Sequence, residues 1–157
     1  MRTDVARGSR LALLSLTLAC GGPPAPAVLP LQEWACADTT LGTLVDAGVA
    51  PSDAPEIEVG REAYRVNARP SAPGYLAFTL DEDTELRLLA DAPDAIAAIR
   101  TDPGPDDEWM AIELVEEAPS CPDRTLFGAD LGLLAGDAVL EVGPTRQANV
   151  WLAVATP

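Results

Sequence analysis

The sequence holds 157 residues, 48% of them apolar, enough for one domain with its own core and too many for a wholly disordered chain. Its formal charge is −15, and such a surface repels phosphate backbones, so nucleic-acid binding is set aside. All ten basic residues are arginine; without His or Lys the chain cannot build imidazole zinc sites, Ser-His-Asp or Cys-His machinery, or Schiff-base and Ser-Lys chemistry.

The chain opens on a positive leader, with Arg2, Arg7 and Arg10 against a single acid, Asp4. Leu11 to Ala19, LALLSLTLA, follows without a charge. This run is far short of the roughly 20 residues that span a bilayer, but it suits the apolar region of an export signal. A small residue, Ala19, then precedes Cys20, and Gly21 and Gly22 follow. These residues resemble the lipobox of bacterial lipoproteins, although Thr17 stands where that family favours Leu and Leu18 where it favours a smaller residue. The resemblance implies a signal peptide over 1–19, cleaved before a diacylglycerol-bearing Cys20. It also implies a lipid bilayer as the partner of that cysteine and, with Gly21 rather than Asp next to it, the outer membrane as its address. A second reading stands beside it. Ala25-Pro26-Ala27 fits ordinary signal cleavage after Ala27, which would release the chain to the periplasm or the medium.

Cysteine parity bears on that choice. The chain has three cysteines, an odd number for an exported protein. If Cys20 carries lipid, Cys36 and Cys121 remain, and outside the cytoplasm a disulfide between them is expected.

Gly21 to Pro30, GGPPAPAVLP, contains four prolines and two glycines and reads as a tether, part flexible and part polyproline-like. With Cys20 it forms the segment 20–30, and it holds the domain within about 30 Å of its anchor. From Leu31 to Pro157 Gly and Pro, Gly128 and Gly132 among them, interrupt the chain so often that only short runs lie between them, the rhythm of an all-β sandwich or barrel. DTTLGTLVDAG (38–48) is a helical turn or a loose strand. YLAFTL (75–80) alternates, with Tyr75, Ala77 and Thr79 on one face and Leu76, Phe78 and Leu80 on the other. ELRLLA (85–90) sets Leu86 and Leu88 opposite Arg87 and Leu89. DAPDAIAAIR (91–100) is expected as a strand ended by Pro103 and Gly104; the competing reading is a short helix capped by Asp94. WMAIELVEE (109–117) places Met110, Ile112 and Leu114 on one face of a strand, and AVLEVG (138–143) and NVWLAV (149–154) complete the set. The fold expected is a small antiparallel β-sandwich of jelly-roll type over 31–157.

Two phrases, GYLAFTLDEDTELRLLAD and LLAGDAVLEVG, resemble the β-sandwiches of bacterial pre-peptidase C-terminal domains. The resemblance implies a hairpin around the acidic turn Asp81-Glu82-Asp83, and a late strand after a tight turn filled by Ala135 and Gly136. Ala138 stands where that family carries an aromatic. Members mostly serve as accessory modules beside enzymes, and no functional residue is carried over from them.

No catalytic residue is assigned. Paired carboxylates for glycoside hydrolysis are open on composition, but twenty-four acids after Cys20 make some pair inevitable, and three Trp and two Tyr are thin for a sugar platform. No cofactor is expected apart from the possibility of calcium. Asp81 and Asp83, with Glu82, sit in one acidic turn; Asp102, Asp106 and Asp107, with Glu108, lie in a proline-stiffened loop. Such loops can offer the oxygens a hard cation needs, yet neither follows the EF-hand spacing, and solvated turns favour the same residues. The expectation is a non-enzymatic, lipid-anchored binding or structural module of the cell envelope, partnered by an envelope protein or an extracellular ligand. The alternatives are a secreted sandwich, a calcium-dependent adhesion module and a carboxylate hydrolase.

Overall fold

The computed structural model describes residues 29–37, 42–102, 108–118 and 121–157. Cys20, the leader, the tether up to residue 28, Asp106 and Asp107 lie outside them. Among these residues, one α-helix, α1 (Leu31–Ala37), precedes ten strands: β1 (Thr43–Asp46), β2 (Ala63–Asn67), β3 (Gly74–Leu80), β4 (Thr84–Ala90), β5 (Ile96–Asp102), β6 (Met110–Ala111), β7 (Val115–Glu116), β8 (Phe127–Leu133), β9 (Gly136–Val142) and β10 (Asn149–Ala155), with a short 3-10 turn at Pro51–Asp53. They form a six-stranded sheet, in the order β1-β2-β10-β4-β8-β7, and a four-stranded sheet, β3-β9-β5-β6. Every named strand pair is antiparallel except β1 with β2. The expected all-β sandwich is the fold of the chain.

Period-two alternation makes the core. Leu76, Phe78 and Leu80 of β3, Leu86 and Leu88 of β4, Ile99 of β5, Leu140 of β9 and Leu152 of β10 are buried between the sheets. With so few aromatics, most of this interior is aliphatic, and shape fit among branched side chains carries the packing. The strand reading of 91–100 holds for β5. Asp94 caps no helix there; its Oδ1 accepts a 2.9 Å hydrogen bond from the buried Thr145 hydroxyl. The loose-strand alternative holds for β1, which pairs in parallel with β2.

Three expectations are corrected. Asp81-Glu82-Asp83 is not a hairpin turn, because β3 and β4 belong to different sheets. The turn is an arch over the end of the sandwich, as is Leu134-Ala135 between β8 and β9. Alternation says that both flanking strands bury one face; it does not say whether they pair edge to edge or face each other across a core. The two arches are stapled together by the Ala135 N–H, which donates to Asp83 Oδ1 at 2.9 Å. Gly136 leaves its arch at φ +136°, a region that favours glycine.

The second correction concerns 109–117. Instead of one strand it makes two short pairings, β6 on β5 and β7 on β8, and so passes from one sheet to the other. Ile112 and Leu114 turn inward during the crossing, whereas Met110 is left exposed. The third is β8, where Gly128 and Gly132 stand inside a strand instead of interrupting it. Both lie on its outer side, while Phe127, Ala129, Leu131 and Leu133 supply the side that faces the core.

Candidate functional site

The outer face of the six-stranded sheet is where the two paired cysteines, the helix and most of the unusual polar chemistry meet. β10 lies at its centre between β2 and β4. Its odd-numbered residues Trp151, Ala153 and Ala155 point away from the main core, yet all are buried. They join Leu89 of β4, Ala63 of β2, Leu126 and Cys121 in a second apolar cluster. The lid of that cluster is α1, which contributes Leu31 and Ala35 at i and i+4. Pro30 sits immediately before the helix, and its carbonyl accepts from the Trp34 N–H at 2.9 Å. Sequence reasoning missed α1. The signal was present in Pro30 and the Leu31/Trp34/Ala35 spacing, but seven residues straight after a Pro-rich stretch are too few to display a helical period.

Several contacts hold this lid. Cys36 Sγ and Cys121 Sγ stand at bonding distance, 2.02 Å, with their Cα atoms 5.2 Å apart and 85 residues between them in sequence. The Trp34 ring packs obliquely on Trp151 at 6.3 Å between centroids. The Arg124 guanidinium lies over the Trp151 ring at 4.3 Å and also donates to the Ala35 carbonyl. Arg61 donates to the Leu29 carbonyl just ahead of the helix. At the far end of β4, the Asp91 Oδ1 accepts the Trp151 N–H at 2.9 Å, continuing the β4–β10 ladder with a side chain in place of a carbonyl. Burial pushes the Asp91 carboxyl above its usual range, and the Trp151 N–H and the Arg124 charge pull it back.

Further along the same face, Arg87 bridges two carboxylates. It reaches Glu117 at 2.6 Å and Asp130 at 2.7 Å. Glu117, from the chain beyond β7, lies flat over the sheet because Gly128 beneath it has no side chain; a Cβ there would collide with Glu117 Oε1. The arrangement is an ion-pair brace, since both carboxylates are occupied by one guanidinium.

Among the described residues, the outer face of the four-stranded sheet has no such cover. Tyr75, Ala77 and Thr79 of β3 and Asp137, Val139 and Glu141 of β9 lie on it, none of them buried. Trp109 reaches across from the chain before β6, with its ring 5.8 Å from Tyr75 and the Arg100 guanidinium 5.3 Å above its centroid.

The calcium candidates divide between these surroundings. Asp81 and Asp83 lie on the β3–β4 arch, where Asp83 is engaged by Ala135. Asp102 closes β5 opposite Asp137, whose Oδ1 accepts from the Thr79 hydroxyl at 2.8 Å. A cleft of about 690 Å³ opens beside the first arch, lined by Glu56, Glu58, Asp81 and Glu82 together with Ile57 and Leu80. Among the described residues, no three of Cys, Asp and Glu gather into a group able to hold a metal ion. Also among them, no helix is long and apolar enough to cross a membrane.

No protein-family model matches this chain, and no curated protein is significantly similar to it.

Proposed function

We propose that this chain is a lipoprotein of the cell envelope, anchored to the outer membrane through an acylated Cys20, and that its sandwich is a non-enzymatic binding or structural module. The observation that carries the reading is the pairing of Cys36 with Cys121, which leaves Cys20, at the head of the Pro/Gly tether, as the odd cysteine. A disulfide across 85 residues suits the oxidising space outside the cytoplasm. An acyl thioether at Cys20 suits the short, Arg-led apolar leader, and two or three acyl chains hold a protein to a bilayer where one does not. The lipobox-like residues Ala19, Cys20, Gly21 and Gly22 supply the same inference from the sequence. Either kind of module, binding or structural, would present the uncovered face with Tyr75 and Trp109 on the opposite side of the sandwich from α1.

Detergent phase partitioning with intact-mass analysis of the full chain and its Cys20→Ala variant tests the anchor. The expected result is a detergent-phase wild type beginning at Cys20 and carrying acyl mass, and an aqueous variant. If both forms stay aqueous and begin at Val28, the anchor is wrong and the secreted reading replaces it. If the chain is found uncut inside cells with its thiols reduced, both readings fall.

A further inference from the structure

We infer that the Cys36–Cys121 link is a redox-gated clasp: oxidised, it docks α1 over the outer face of the six-stranded sheet; reduced, it lets the helix leave and bares that face, while the sandwich stays folded. The inference does not depend on whether Cys20 is acylated.

Two features carry it. The first is the separation of the two apolar clusters. The main core between the sheets contains no residue of α1, whereas Leu31 and Ala35 belong only to the outer cluster with Leu89, Leu126, Trp151, Ala153 and Ala155. Undocking the helix therefore opens the outer cluster and leaves the inner one intact. The second is the length of the helix. Seven residues do not hold a helix in water, so α1 keeps its shape only while something holds it in place. Besides the covalent link, the burial of Leu31 and Ala35, the oblique Trp34 ring contact, the Arg124 bond to the Ala35 carbonyl and the Arg61 bond to the Leu29 carbonyl ahead of the helix hold it to the sheet. The covalent link stands one residue from its C-terminal end.

Access favours one sulfur. Cys36 is partly exposed on the helix, whereas Cys121 is buried against the sheet at 8% exposure. A dithiol reductant attacks Cys36 Sγ with one thiolate; the Cys36–Cys121 bond breaks, and Cys121 leaves as a thiolate that takes up a proton. The second thiol of the reductant, after losing its proton, attacks the mixed disulfide at the reductant's own sulfur and releases Cys36 as a thiol. Two electrons have passed to the protein, and the reductant has become a disulfide. The reverse exchange, with a disulfide oxidant, closes the clasp after export. With the link reduced the helix is free, and Trp151 exchanges one ring neighbour for solvent.

Hydrogen exchange of the full chain, oxidised and after dithiothreitol, reads the two clusters separately. The expected result is a loss of at least about tenfold in protection over Trp34–Ala37 on reduction, with protection over Leu86–Leu89 retained. Binding of an apolar dye should rise, and the Cys36→Ser variant should match the reduced protein without reductant. Trp34→Ala, with the link intact, should keep α1 protected to within about threefold, because the covalent tie is what holds it. The inference is overturned if α1 stays protected after reduction, if Leu86–Leu89 loses protection as well, or if Trp34→Ala frees the helix while Cys36→Ser does not.

Discussion

β10 and β9 are inner strands of the two sheets, but β10, NVWLAVA, has apolar residues on both its faces, whereas β9, GDAVLEV, sets Asp137 and Glu141 on one of its own, and the two end in different surroundings. β10 is buried on both sides, with Val150, Leu152 and Val154 in the main core and Trp151, Ala153 and Ala155 under α1. β9 buries Ala138, Leu140 and Val142 but leaves Val139 and Glu141 only partly covered beneath the Tyr75–Trp109–Arg100 group. A sandwich needs one apolar face per sheet; the second face is dry only where another segment is brought to it. Among the described residues, a helix, a covalent link and a stacked arginine lie on one side, and a single tryptophan on the other. The first arrangement isolates its face from water, and the second leaves a surface.

The largest expected effects come from the residues that mark this difference. Trp151→Ala should cost about 3–5 kcal/mol, since the ring is at the centre of the covered cluster and the helix cannot collapse fully into the space it leaves. Trp109→Ala should cost about 1 kcal/mol or less, because the residue lies on an open face. Urea unfolding of both variants measures the ratio, and equal costs would mean that the two faces are not different in kind. Removing the covalent tie with Cys36→Ala and Cys121→Ala together should cost about 2–5 kcal/mol, through the freedom returned to a long loop in the unfolded chain. A double variant as stable as the wild type would show the cover to be held by packing alone.

The brace over β8 gives the next effect. Gly128→Ala places a methyl group where Glu117 Oε1 lies, so the carboxylate must swing off Arg87. The pair is partly buried, with side-chain exposures of 28% and 10%, and the expected cost is about 1 kcal/mol. Made in a Glu117→Ala background, the same change should cost almost nothing, because the collision and the pairing are both gone. Unfolding free energies of the four proteins give the coupling directly, and a cost that persists without Glu117 would trace the glycine to Leu89 instead.

How far these features were legible differs from residue to residue. Leu76, Phe78, Leu86 and Leu88 announce buried strand faces by simple alternation, and the pairing of Cys36 with Cys121 is what remains once the lipobox resemblance sets Cys20 aside. Alternation could not tell an arch from a hairpin, because β3 and β4 bury one face each in either arrangement. The apolar run through Trp151 suggested a strand, but its second buried face depends on α1, which lies more than a hundred residues away in sequence. Gly128 and Gly132 looked like interruptions because a glycine carries no sign of which face it occupies. Trp151, Arg124 and Asp91 escaped notice as a group for the same reason: only the register of β10 against β4 brings them together.

Asp91 offers the smallest effect and a direct reading of how dry the covered face is. Its folded carboxyl is pushed above the usual range, so in the fold it takes up a proton at a higher pH than it does in the unfolded chain. That difference adds stability as pH falls through the folded value, and the gain is complete below the ordinary carboxylate range near 4. At neutral pH the buried charge is a cost, partly offset by the Trp151 N–H and Arg124. Asp91→Asn keeps an oxygen for the Trp151 N–H and removes the charge. It should therefore match or exceed the wild type at pH 7, by no more than about 1 kcal/mol, and lose that advantage steadily toward pH 3. Thermal unfolding of both proteins across that interval gives the difference as a function of pH. A difference that grows on acidification would have the opposite sign, and would mean that Arg124 and the Trp151 amide hold the carboxylate charged more strongly than the apolar cover opposes it.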